Sequence, residues 1–229
     1  MKKINQLEKV IKVNFKNKRL LTTAITHPSY LNENQSINES YQRLEFLGDA
    51  VLELIVSHYL FIRFPNTREG RLTEIRAALV RTENLAKCAR KIDLGDYILL
   101  SKGERINKGH NNINILADTL ESVIGAIYID KGFNKANYFF QSFIQEELNN
   151  ILVKKLYIDP KTKLQEIIQN HYKTTPTYKV LTENKEGTKT EFSIGVYFKK
   201  KLMGKGIGKN KKIAEQQAAI DALGNLTSI

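Results

Sequence analysis

Three carboxylates run through a segment whose other residues belong in a protein interior. In RLEFLGDAVLEL, residues 43–54, Glu45, Asp49 and Glu53 recur every fourth residue, and Gly48 sits directly before the second acid. That spacing places all three on one side of a helix. One reading is the wet face of an ordinary amphipathic helix. A helical wheel argues against it. At about 100° per residue, Leu52, Val56 and Leu60 flank the acids, while Phe46, Leu47, Val51, Leu54 and Ile55 cover the other directions. A helix apolar nearly all round is predicted to be buried. Its carboxylates then need compensation, because a buried unpaired charge is very costly. Arg43 is one nearby source of it, and a metal ion is another. Gly48 permits a close neighbour.

A second segment has the same character. In ILADTLESVIGAIYID, residues 115–130, Asp118 and Glu121 are three apart and share a helix face. Ile115, Leu116, Leu120, Val123, Ile124 and Ile127 wrap the rest, with no basic residue within a turn. Gly125 lies one turn on and admits another helix or a substrate. If the two helices pack together, their four acids form an oxygen-only cluster of the kind that suits Mg²⁺ or Mn²⁺. Such ions activate water and stabilise in-line attack on a phosphodiester.

The rest of the chain divides near residue 151. Before it, apolar residues recur at three- and four-residue spacing, which predicts helices near 5–13, 18–26, 41–63, 72–91, 112–129 and 134–152. ENQSINES (33–40) and FPNTREG (64–70) read as a loop and a turn. VKKLYIDPK, from residue 153, reads as a linker. Asp159 followed by Pro160 suits a helix start, and Thr162 with Gln165 offers a capping box. After a short helix, PTYKVLTE, TEFSIGVYF and KKLMGKGIG read as strands. Phe192, Ile194, Val196 and Phe198 alternate in the middle one. KKIAEQQAAIDAL closes the chain as a helix. The expected organisation is an all-α domain over 1–152, a linker over 153–159 and a small α-β-β-β-α domain over 160–227.

Charge points to a polyanion. The 229 residues carry a net +12. Residues 159–229 hold 13 Lys and no Arg against seven acids, so this smaller part is about twice as basic per residue. The single cysteine, Cys88, excludes an internal disulfide framework and a cysteine-rich zinc site. No apolar run approaches the length of a membrane span, and the basic N-terminus lacks the apolar stretch of a signal peptide. These features predict a soluble cytoplasmic protein with no membrane partner. GKGIG precedes a helix but has no βαβ unit around it, so no dinucleotide is expected, and nothing else calls for a small-molecule cofactor. His27, in THPSY, reads as structural. His58, His110 and His171 form no ligand spacing.

RLEFLGDAVLEL resembles the signature of the ribonuclease III family, and ILADTLESVIGAIYID resembles its second acidic motif. AITHPSYLNE, LTEIRAALVRTENLAKCAR and LLSKGE also fit. DPKTKLQEIIQ and GKGIGKNKKIAEQQAA, with the strands between them, resemble the family's double-stranded RNA-binding domain. The resemblance implies a homodimeric endonuclease that cuts both strands of duplex RNA and leaves 5′-phosphate and 3′-hydroxyl ends with short 3′ overhangs. It implies action on ribosomal RNA precursors and on some messenger and transfer RNAs. By motif position, Glu45, Asp118 and Glu121 would be Mg²⁺ ligands, and Asp49 the remaining catalytic carboxylate of the metal site. Glu69 matches an accessory acid. Phe46 holds the position that plugs into the partner subunit, although it also reads as a plain core residue. Gln165 and Glu166 on one helix, with Lys209, Lys211 and Lys212 at the start of another, would meet the minor groove and the phosphates of A-form RNA. The chain departs from the family pattern at Gln42, where an acid is frequent, in the neutral GHNNIN (109–114), at Thr188, where a loop histidine is common, and at Asn210. The rival readings are a catalytically silent duplex-RNA binder and a DNA-binding structural protein.

Overall fold

The protein is described by a computed structural model covering residues 2–34, 36–186 and 189–226. Thr188 lies outside the described residues. The chain divides into two compact units between Tyr157 and Ile158.

The first unit is helical: α1 (Lys2–Ile11), α2 (Lys18–Ala24), α3 (Pro28–Leu31), α4 (Gln42–Arg63), α5 (Glu69–Val80), α6 (Thr82–Lys91), α7 (Lys102–Ile106), α8 (Ile113–Lys131), α9 (Phe133–Phe143) and α10 (Gln145–Val153). α8 is its axis. It buries Ile115, Leu116, Ala117, Leu120, Val123, Ile124, Ala126 and Ile127, which leaves little of its circumference free. GHNNIN supplies its start, where the Asn112 side chain accepts from the Asn114 N–H at 2.9 Å. Asp130, the last acid of that motif, accepts the N–H groups of Lys16 and Asn17 and ties α2 to the end of α8.

Two stretches expected as single helices are broken. The 72–91 stretch breaks at Arg81, whose backbone is extended (φ −63°, ψ 149°). The buried Asn84 side chain donates to the Leu79 carbonyl at 2.7 Å and replaces the helical bond lost there. The 134–152 stretch breaks at Ile144 (φ −115°, ψ −37°). The reading of α4 as apolar on all sides and therefore buried is also corrected. Leu52, Ile55, Val56 and Leu60 are fully buried, but Phe46, Leu54, Phe61 and Ile62 are exposed. Phe46, at 82% exposure, is not a core residue.

The broken α9–α10 segment is anchored to α6 by charge. Lys87 and Lys91 both reach the buried Glu147 carboxylate, and Lys91 also meets Glu146. Burial alone would raise the Glu147 pKa. Hydrogen bonds from Lys87, Lys91 and Asn150 outweigh burial and hold the carboxyl at about 2 instead of its ordinary 4.5. A depressed carboxyl stabilises the fold fully above pH 4.5 and loses that contribution as pH falls toward 2. Glu147→Gln is therefore expected to lower stability by roughly 1–3 kcal/mol at neutral pH. Its stability deficit should shrink progressively below pH 4.5, as denaturant melts of both proteins would show.

The second unit is α11 (Pro160–Tyr172), β1 (Thr177–Glu186), β2 (Lys189–Phe198), β3 (Lys201–Gly208) and α12 (Lys211–Leu226), with the strands forming an antiparallel meander in the order β1-β2-β3. The cap of α11 is Asp159, whose Oδ1 accepts from the N–H groups of Lys161 and Thr162 at 3.0 Å. This corrects the expected Thr162–Gln165 capping box, because Thr162 already lies inside the helix. Leu164 and Ile168 of α11 pack with Val196 and with Ala218, Ala219 and Ala222 of α12. The glycines of GKGIG serve this packing. A Cβ at Gly204, Gly206 or Gly208 would fall 2.5, 2.2 or 2.7 Å from the backbone nitrogens of Ala222, Ala218 and Ala214. α12 therefore rests directly on the β3 backbone.

Candidate active site

The acids of the two motifs meet because α4 and α8 cross at contact distance. Gly48 and Gly125 form the crossing. A Cβ on Gly48 would lie 1.8 Å from the Glu121 carbonyl oxygen, and one on Gly125 would lie 2.3 Å from that of Leu44. The close neighbour that each glycine admits is thus the other helix. Glu45, in the first turn of α4, then faces Asp118 and Glu121 on α8, and one carboxylate oxygen from each lies within 4.8 Å of the others. All three are half-buried. Asp49, one turn beyond Glu45, is exposed and stands outside this group, although its charge is felt by Glu45 and Glu121. Glu53 is exposed.

Among the described residues no lysine or arginine forms an ion pair with any of these acids, Arg43 included. The consequence shows in their protonation. Burial pushes Glu121 up to about 8, helped by the charges of Asp49, Asp118 and Glu45. Burial, then Asp118 and Asp49, raises Glu45. Burial also raises Asp118, opposed by the Tyr41 hydroxyl, which donates to Asp118 Oδ2 at 3.4 Å, and by His27. Three crowded, uncompensated carboxylates facing one point fit a hard divalent cation: all donors are oxygen, and a cation would supply the missing positive charge.

Glu69 does not join the group. It opens α5, and its carboxylate accepts from the Thr73 hydroxyl at 3.0 Å. Gln42 is exposed at the start of α4. His27 caps α3, where its Nδ1 accepts from the Ser29 N–H. Sequence reasoning passed over Tyr41. Its one available signal was its place a full helical turn before Glu45.

In the second unit Gln165 and Glu166 are exposed on α11, and Lys209, Lys211 and Lys212 are exposed around the start of α12. The Asn210 side chain accepts from the Ile213 N–H at 2.9 Å, so the residue replacing serine still caps the helix.

A ribonuclease-III-like family profile matches residues 17–148, and a double-stranded RNA-binding motif matches residues 160–226. The chain belongs to the ribonuclease III family, whose members are double-strand-specific endoribonucleases. Ribonuclease 3 of Nitratiruptor sp. is 41% identical over 223 residues, covering 97% of this chain and 96% of the relative. Ribonuclease 3 of Campylobacter fetus is 42% identical, covering 96% of each. The ribonuclease III nuclease domain from Campylobacter jejuni is a similar solved structure. It is 43% identical with a TM-score of 0.59, and the match covers 64% of this chain and 97% of that one. The all-α unit followed by an α-β-β-β-α unit is the architecture expected of ribonuclease III.

Proposed function

We propose that this ribonuclease III is a Mg²⁺-dependent enzyme, with Mn²⁺ as a substitute, that cuts both strands of duplex RNA as a cytoplasmic homodimer. The products are 5′-phosphate and 3′-hydroxyl ends with short 3′ overhangs. The substrates are ribosomal RNA precursors and some messenger and transfer RNAs. The observation that carries the reading is the convergence of Glu45, Asp118 and Glu121 within 4.8 Å, with no lysine or arginine among the described residues paired to them. In this reading those three residues hold the cation. A bound Mg²⁺ supplies a more acidic water and charge neutralisation at the phosphoryl oxygens. Asp49, exposed at the edge of the group, accepts a hydrogen bond from the attacking water and orients it. Glu69 contributes a further negative charge along the RNA path.

Homodimer formation is supported by Phe46. It stands exposed beside Leu47 and Ile129 on a hollow of about 1010 Å³. A second Campylobacter jejuni nuclease-domain structure, at TM-score 0.58, is described in terms of flexibility in the region involved in dimer formation. Duplex RNA is gripped by the second unit, with Gln165 and Glu166 at the minor groove and Lys209, Lys211 and Lys212 on phosphates. Lys211→Ala with Lys212→Ala is expected to weaken binding and to flatten the slope of log affinity against log salt by about two. An unchanged slope would leave both lysines facing solvent only.

The test of function is one set of incubations: long duplex RNA with and without Mg²⁺, beside duplex DNA, with end-labelled products sized on both strands. Cleavage is expected only for RNA with the cation. Binding without cleavage under Mg²⁺ and Mn²⁺ would identify a silent duplex-RNA binder instead.

A further inference from the structure

Two blocks of the sequence that fit the family resemblance, THPSY and LLSKGE, hold none of the four acids, yet the fold brings them together beside Asp118. Thr26 pairs with Leu99 as an isolated parallel bridge, with the Leu99 N–H donating to Ile25 and the His27 N–H donating to Leu99. The Tyr41 N–H then donates to the Thr26 carbonyl at 2.9 Å. Ser101, from the second block, donates its N–H to Ser29 Oγ, and that hydroxyl lies 2.7 Å from His27 Nδ1. The His27 and Tyr41 rings meet edge to face, 5.7 Å between centroids. Tyr41 is 4% exposed, so its ring has one resting place, and its hydroxyl emerges at Asp118 Oδ2.

We infer that Tyr41 is a positioning residue for the cation site: held by the Thr26–Leu99 bridge and the His27 ring, its hydroxyl fixes the rotation of the Asp118 carboxylate. The inference rests on the reading of Asp118 as a cation ligand. A donor on one carboxylate oxygen limits rotation about the side chain and so decides which lone pairs face Glu45 and Glu121. Partners that orient a ligand in this way typically change metal affinity 10–100-fold when removed. Tyr41 is also the residue that opens α4, since its carbonyl accepts the Glu45 N–H at 2.8 Å in the first bond of the helix. One residue therefore sets the backbone of one acid and the side chain of another.

The experiment is Mn²⁺ binding to the full-length, RNA-free protein, read by electron paramagnetic resonance of free Mn²⁺. It compares wild type, Tyr41→Phe and Asp118→Asn, with thermal melts of each. Tyr41→Phe keeps the buried ring and its contact with His27, so its melting temperature should match wild type while its Mn²⁺ affinity falls by about tenfold. Asp118→Asn should lose more. Wild-type affinity in Tyr41→Phe, beside weakened binding in Asp118→Asn, would overturn the positioning role and leave the ligand reading intact. Wild-type affinity in both would overturn both. Should Tyr41→Phe fail to fold, fluorine NMR of wild-type chain labelled with 3-fluorotyrosine gives the same decision. The Tyr41 resonance must shift with the midpoint of diamagnetic Mg²⁺ binding, and a resonance indifferent to Mg²⁺ defeats the proposal.

Discussion

Glu121→Gln is expected to reduce cleavage of duplex RNA by roughly 10²–10³-fold, a range typical of losing one preorganised charge-stabilising group. Duplex binding should survive. Glutamine keeps the shape of the side chain and removes the carboxylate that burial, helped by the charges of Asp49, Asp118 and Glu45, pushes up to about 8. It removes a charge that only a cation can use, because no lysine or arginine among the described residues pairs with it. In the proposed reading binding rests on Lys209, Lys211 and Lys212 in the other unit, so a filter-binding isotherm without cation should superimpose on wild type. Near-wild-type cleavage under limiting Mg²⁺ would remove Glu121 from the ligand set.

Gly48→Ala should do more damage than its single methyl suggests. The added carbon would fall 1.8 Å from the Glu121 carbonyl oxygen, which is backbone and cannot rotate away. The two helices must separate, and overpacking destabilises by about 1–3 kcal/mol, with backbone clashes of this depth at the upper end. Separation also spreads the carboxylates, so activity should fall further than the loss of folded protein explains. Gly70→Ala is the control: nothing lies within 4 Å of its added methyl, and it sits in the first turn of α5. Its melt should equal or slightly exceed wild type. A Gly48→Ala protein with wild-type stability would mean that the helices do not cross as described.

What the sequence made legible was mainly local. The four-residue spacing of Glu45 and Asp49 and the three-residue spacing of Asp118 and Glu121 fixed their faces without any knowledge of the fold. The strand period of Phe192, Ile194, Val196 and Phe198 located β2, and Ile194 and Val196 are indeed buried. Other features depended on distant neighbours. Whether Phe46 and Leu54 are covered is decided by what packs on α4, and an apolar side chain carries the same signal in a core and on an interface. The break at Arg81 involves no glycine or proline, since it is the Asn84 side chain that satisfies the orphaned carbonyl. Tyr41 is 77 residues from Asp118, beyond any periodicity.

The seating of α12 on β3 acts like a rack meeting a pinion. Two strand residues advance about 6.7 Å, and four helix residues advance about 6 Å, so Gly208, Gly206 and Gly204 mesh in turn with Ala214, Ala218 and Ala222. The helix cannot creep along the strand by one residue, because side chains larger than alanine would then meet bare backbone. A single-residue insertion midway along α12 is therefore harsher than most substitutions there: the glycine–alanine contacts on one side of it cannot mesh while those on the other side do.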